Sequence, residues 1–354
     1  MNIEEMDIFL SSVDRFMKAG IASYIDAMDL YPQKDRPFDV YDKLIKSGVM
    51  NIEEMGEELH NPGNIIRLLF TISEYCAGIG AFVGYTLAGE MLKKRYAPEL
   101  VNKGTVGICV FEERDINIEC GKPDFHTVFS DGVVNGTKKS IIMGGDASFY
   151  AVFTKGEDGY YLAWIDRHAK NMKLSQPAGL LGIRTVSCVD ATFEATPVIS
   201  GTKDGLDALL YAIAILSLFN SACAYATAGA GLKKAWEYTE QRYQGGWMIE
   251  NYDAIKLMYS KNKALIESSK MALLSVADNF ETSLSKSMQE FIRVKISTTE
   301  NAVKALLDAI QMHGGYGYMR DYGIEKRFRD AVTLSLLPVD NTRLSLMLTN
   351  LVRK

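Results

Sequence analysis

Apolar positions recur with helical spacing over the first third of the chain, then alternate as in strands, then return to helical spacing. Phe9, Val13 and Phe16 stand at i, i+4 and i+7, one face of a helix. Val40, Leu44 and Ile45 begin a second face that Gly48 ends, and Ile65–Arg95 carries a longer apolar run with Ala77, Gly78 and Gly80 in its middle. Pro32, Pro37 and Pro62 mark breaks. Between 105 and 200 the pattern predicts strands at Thr105–Phe111, Phe125–Phe129, Lys138–Met143, Phe149–Lys155, Tyr160–Ile165 and Ser187–Phe193. The pairs Asp131-Gly132, Asn135-Gly136 and Asp158-Gly159 predict hairpin turns. From 201 onward the spacing predicts long helices at Leu206–Arg242, Asp253–Glu281, Lys286–Met312 and Asn341 to the end. The expected fold class is α+β and multidomain: an N-terminal helical domain (1–104), a small central β-barrel or sandwich (105–200) and a C-terminal four-helix bundle (201–354).

Composition narrows the function. With 47% hydrophobic and 23% charged residues, the 354-residue chain has the make-up of a soluble globular protein. A net charge of −5 argues against a nucleic-acid partner, which calls for a basic excess. Cys76, Cys109, Cys120, Cys188 and Cys223 are widely spaced, as expected of free thiols in a reducing, cytoplasmic setting. His60, His126, His168 and His313 are too scattered for a metal signature. The acidic start, MNIEEMDIF, is neither a secretory signal nor a transit peptide. Ala208–Leu232 lacks charge and is long enough to span a bilayer. Asn220, Ser217, Ser221 and Thr227 interrupt it, so a buried helix at the centre of a bundle fits better than a transmembrane segment.

Candidate chemistry concentrates at Gln311–Asp330, where His313-Gly314-Gly315-Tyr316-Gly317-Tyr318 is followed by dense charge. Alone, this is a helix cap and turn, or a glycine backbone that lets a ligand approach. Its sequence, QMHGGYGYMRDYGIEKRFRDA, resembles the Q-x-x-G-G-x-G-Y and E-R-x-x-R-D-A segments of the acyl-CoA dehydrogenase flavoprotein family. Gly179–Val198 is similar to that family's L-G-x-R … F-x-x-V-P-V. Val133–Gly145 is similar to L-N-G-x-K-x-W-I-T-N-G, and Gln241–Ile255 to R-x-Q-F-G … F-Q-A-I. The four stand in the family's order, and the resemblance covers nearly the whole chain.

The resemblance implies an FAD enzyme that α,β-dehydrogenates an acyl-CoA thioester and passes electrons to an electron-transfer flavoprotein. Arg242 and Gln244 match the segment that binds the FAD pyrophosphate. Gln311, Gly314 and Gly315 match the segment that cradles the adenosine half across a subunit interface. Other positions depart from the pattern. The family's T-E-P-x-x-G-S-D loop is Phe111–Gly121 here, keeping only an acidic residue, Glu112 or Glu113. The family's tryptophan and threonine beside the flavin are Ser140 and Ile142. Where an earlier-helix base would stand the chain has Leu209, with Asp207 on another face. Asp340 is the carboxylate nearest the usual position of the base, and it has two readings: the base, or the N-cap of the last helix. Two functional readings follow, an acyl-CoA dehydrogenase acting as a homodimer or homotetramer, or a non-catalytic subunit that completes the ADP half of an FAD site in a heteromer with a second family member.

Overall fold

The structure is a computed structural model that describes residues 3–29, 43–44, 46, 61–280 and 284–352. Helix α1 (Ile3–Phe16) continues through a π-helical turn (Met17–Ile21) and a 3-10 turn (Ala22–Tyr24) into α2 (Ile25–Asp29). Val40, Ile45, Gly48, Pro32 and Pro37 lie outside the described residues. The apolar run at 65–95 forms two helices, α3 (Pro62–Tyr75) and α4 (Ala77–Tyr96), because Cys76 is extended (φ −154°, ψ 116°). Asn61 caps α3 by accepting from the Gly63 N–H, and Pro62 fits the first turn, where no N–H is needed.

The central strands are β1 (Val106–Cys109), β2 (Val128–Ser130), β3 (Val133–Ile142), β4 (Phe149–Gly156), β5 (Gly159–Asp166), β6 (Met172–Leu174), β7 (Cys188–Pro197) and β8 (Ser200–Thr202). They form one eight-stranded sheet in the order β6-β7-β3-β2-β4-β5-β8, with β1 parallel to β4. Side chains alternate between two cores. Tyr150, Val152, Ala163 and Ile165 meet Phe193 and Val134 on one face; Ala151, Phe153, Leu162 and Trp164 face the helical core. Phe193 and Ala163 stand on strands far apart in the sheet order, so their shared core requires the sheet to curl, like a barrel. Asp131-Gly132 makes a two-residue turn with positive φ at both positions (50° and 77°), which suits the strand twist. Asn135-Gly136 is not a turn. It lies inside β3 at a register shift, where the Asn135 side chain accepts from the Ala195 N–H. The strand predicted from Phe125 begins only at Val128, because the His126 and Thr127 N–H groups are committed to the Glu112 carboxylate.

The C-terminal bundle packs α5 (Gly205–Gln241), α6 (Asp253–Asp278), α7 (Leu284–His313) and α8 (Ile324–Leu336). Helix α9 (Asn341–Val352) lies against α7. Although α5 is long and apolar enough to cross a membrane, 89% of its most apolar window is buried inside the protein, making it the core helix. Helix α8, IEKRFRDAVTLSL, falls in the charged stretch that the sequence reading treated as loop. Its charges are satisfied internally. Asp330 is fully buried and accepts from Lys326 Nζ at 2.7 Å and from the Ile183 N–H at 2.6 Å. Burial works against the Lys326 ammonium, but Asp330 outweighs it and holds its pKa above the ordinary lysine range. Thr333 Oγ1 accepts from the Gly182 N–H at 2.9 Å. A Cβ on Gly182 would run into the Arg329 carbonyl, so only glycine allows this approach. Two segments that carry the family resemblance, around Gly182 and Asp330, thus grip each other and lock the sheet onto the bundle.

Candidate active site

A cavity of about 550 Å³ opens between the sheet and the bundle. Its interior is apolar: Ile108 and Val110 from β1 and the residue after it, Ile142 from β3, Leu216 from α5 and Tyr85 from α4 are all buried. Its rim is charged, with Glu113, Arg114 and Asp115 after β1 and Asp340 and Arg343 at the start of α9. Glu112 does not act at this rim as a free carboxylate. It accepts from the His126 N–H (2.7 Å), the Thr127 N–H (3.0 Å) and Lys138 Nζ (2.8 Å). Burial opposes its ionisation, yet Lys138 and the two backbone donors prevail and hold the carboxyl below the usual range. Burial in turn pushes Lys138 down to about 8 against the pull of Glu112. Glu112 therefore fixes the path of the loop that leaves Glu113, Arg114 and Asp115 at the mouth.

Asp340 lines the cavity and caps α9. Its Oδ1 accepts from the Arg343 N–H at 3.0 Å, and its Oδ2 lies 3.3 Å from Arg343 Nε. Arg343 also grips Asp115 with both terminal nitrogens, at 2.8 and 2.9 Å. An ionised carboxylate has about four lone-pair sites, so two remain to accept a proton. Underneath, Lys295 of α7 is fully buried and donates to the Ser335 carbonyl and to Asn341 Oδ1, both at 3.0 Å. It thereby holds both ends of the turn that presents Asp340. Burial pushes the Lys295 pKa from 10.5 to about 7, against the opposing pull of Asp340 and Glu300. Between those values the unfolded chain binds the extra proton, so stability rises with pH across that window and is flat below it. Over the whole span from about 7 to 10.5 the rise is on the order of 5 kcal/mol. Denaturant titrations at pH 7 and pH 10 are expected to show Lys295→Met losing most of the rise that the wild type retains. An unchanged pH slope in the variant would show that Lys295 does not titrate in this window.

The earlier-helix position also needs correcting. The α5 residue that reaches the cavity is Leu216, while Leu209 is buried elsewhere and does not line it. Asp207 is turned away, accepting from Tyr96 Oη at 2.6 Å and from Arg95 at 3.2 Å. Glu113, by contrast, lines the cavity, makes no hydrogen bond among the described residues, and carries no base signature in the sequence. Lys295 was also missed, since a lone lysine in an amphipathic helix gives no sign that it is buried.

The five residues matched to cofactor binding lie away from this cavity, and none of them lines it. Arg242 follows α5 and sits 5.6 Å from the Tyr316 ring centroid, which joins it to the turn at Gly314–Tyr318. Gln244 follows in a short hairpin of β9 (Tyr243–Gln244) and β10 (Trp247–Met248). Gln311 is exposed in the last turn of α7, just before the glycines. His313 stacks on Tyr238 at 4.5 Å and donates from Nδ1 to the Ala309 carbonyl, which leaves the buried Nε2 without a partner. Burial holds its pKa below the ordinary value, so the ring is neutral.

This surface fits the ADP portion of FAD. Arg242 carries no ion pair among the described residues, and nothing lies within 4 Å of a Cβ built on Gly314 or Gly315. Ser140 and Ile142 both line the cavity, and the Ile142 side chain provides no donor. Arg242→Ala is expected to lower FAD retention through gel filtration at least tenfold. Wild-type flavin content in the variant would remove Arg242 from cofactor binding.

Comparison with known proteins agrees with this architecture. Residues 203–337 match the family model for the acyl-CoA dehydrogenase C-terminal domain. An acyl-CoA dehydrogenase of Bacillus subtilis (strain 168) is 25% identical over 357 residues, covering 94% of this chain and 93% of its own. Cyclohexane-1-carbonyl-CoA dehydrogenase of Syntrophus aciditrophicus is 26% identical over 323 residues, with 83% of each chain covered. The solved structure of butyryl-CoA dehydrogenase from Megasphaera elsdenii superposes with a TM-score of 0.87 at 18% identity, over 100% of both chains. The fold is α+β, with the helical, β and helical order of that solved structure. Over residues 203–337 the chain matches the acyl-CoA dehydrogenase C-terminal domain, and over most of its length it is similar to acyl-CoA dehydrogenases.

Proposed function

We propose that this chain is an FAD-dependent acyl-CoA dehydrogenase that removes an α proton and a β hydride from an acyl-CoA thioester, leaving the α,β-unsaturated thioester. The observation that carries the reading is a cavity with an apolar interior and a carboxylate, Asp340, on its lip. In this reading Asp340 accepts the α proton. Arg343 and the first turn of α9 orient it, and Lys295 fixes the turn beneath it. Ile108, Val110, Ile142 and Leu216 keep water from the reacting carbons. Bound FAD supplies the two-electron acceptor for the hydride. An electron-transfer flavoprotein then takes the electrons.

Tyr243, Trp247, Tyr316, Tyr318 and Met319 are exposed around Arg242, an apolar surface that suits a second subunit sharing the FAD. One observation favours the second reading, a subunit that completes a partner's site. Where the family has a flavin-facing tryptophan and threonine, this cavity is lined by Ser140 and Ile142. Purification of the chain expressed alone separates the two. A yellow oligomer with near-stoichiometric FAD is expected. Colourless protein that gains flavin only with a co-expressed second family member would overturn the first reading in favour of the second.

A further inference from the structure

The deep end of the cavity is not uniformly apolar. Tyr85 of α4 lines it, only 4% exposed, and its hydroxyl accepts from Asn220 Nδ2 of α5 at 3.4 Å. Asn220 is 1% exposed, and its Oδ1 has no partner. Turning the amide over would bring Oδ1 to Tyr85 and leave Nδ2 unpaired instead. One buried polar position therefore stays open whichever way the amide lies. As the amide is placed, the Tyr85 proton has no acceptor among the described residues; turned over, Asn220 Oδ1 would accept it and the Tyr85 oxygen would keep a lone pair for a donor. A buried polar group left without a hydrogen bond keeps the cost of its lost hydration. Asn220 does not itself line the cavity, so a tail can answer only the Tyr85 hydroxyl: a purely hydrocarbon tail leaves it unsatisfied, and a tail with a donor or acceptor pairs with it.

Charge sorts the possibilities further. The cations of this cavity, Arg114, Lys139 and Arg343, belong to its mouth, while Tyr85, Leu216, Cys188 and Ile142 surround the deep end. A carboxylate tail would find no counter-charge there. A hydroxyl, carbonyl or amide would find the Tyr85 hydroxyl. The apolar deep end takes the acyl chain, so the thioester and its carrier stay at the charged mouth, where Arg114, Lys139 and Arg343 stand among Glu113, Asp115 and Asp340.

We propose that Tyr85, held by Asn220, selects a short acyl thioester whose far end carries a neutral hydrogen-bonding group. This rests on the reading of the cavity as the acyl pocket. Calorimetric titration of the purified holoprotein with butyryl-CoA and 4-hydroxybutyryl-CoA tests it. The hydroxylated thioester is expected to bind about tenfold more tightly to the wild type, equivalent to about 1.4 kcal/mol. Tyr85→Phe, which keeps the ring, and Asn220→Leu are each expected to erase most of that preference. Melting temperatures of both variants, read alongside, separate loss of the preference from loss of the fold. Equal binding of the two thioesters by the wild type, or a preference that survives in folded Tyr85→Phe, overturns the inference and leaves the acyl-CoA reading intact. Binding of neither thioester overturns that reading as well.

Discussion

Asp330→Ala is expected to destabilise the chain by about 3–5 kcal/mol, the cost of removing one partner from a buried ion pair. Lys326 would keep its charge in the interior beside Cys76, with nothing to balance it. The Ile183 N–H would lose its acceptor at the same time. Asp330→Asn should cost less, because its amide oxygen can still accept from Ile183. Urea denaturation followed by tryptophan fluorescence reads the result, since Trp164 lies on the sheet face packed against the helices. An Asp330→Ala protein within 1 kcal/mol of wild type would show that sheet and bundle are held together elsewhere.

Asp340→Asn should have the largest functional effect. Flavin reduction by substrate is expected to fall by about 10²- to 10⁴-fold, the usual contribution of a positioned general base. Asparagine caps helices as well as aspartate does, so its side-chain oxygen keeps the hydrogen bond from the Arg343 N–H and α9 should survive. The substitution therefore separates the two duties of this residue. FAD content and thioester affinity should remain near wild type while the reductive half-reaction, measured by stopped-flow bleaching of the flavin, collapses. Undiminished reduction would take Asp340 out of the mechanism and leave it a cap. Glu113→Gln is then the next variant to make, since Glu113 lines the same mouth with no hydrogen bond among the described residues.

The architecture was legible where pattern and packing agree. The long helices α5, α6 and α7 carry enough turns for their spacing to be read to within a few residues. Helix α8 was not legible, because its Lys326, Arg327, Arg329 and Asp330 look like solvated charge. Its burial depends on Asp330 finding the Ile183 N–H 147 residues away. Asn135-Gly136 has the local chemistry of a turn, but β7 pairs alongside and makes it a bulge. The cofactor-like residues were found through motif resemblance, and the structure joins Arg242 to the glycine turn through Tyr316. Asp340 was found as the nearest carboxylate. The lysine under it and the Tyr85–Asn220 pair were not found, since they depend on contacts between distant helices that carry no local signature.

The Asp115–Arg343 fork has a consequence for inheritance. It ties a loop of the sheet to the first turn of the last helix, across the mouth of the cavity. The cavity walls are drawn from α4, β1, β3, α5 and the α8–α9 turn. No single segment of the chain owns the cavity. A chimaera that imports the sheet of a relative without the matching last helix would inherit a lip with an unmatched aspartate or arginine, so these two positions should travel together whenever the halves are exchanged.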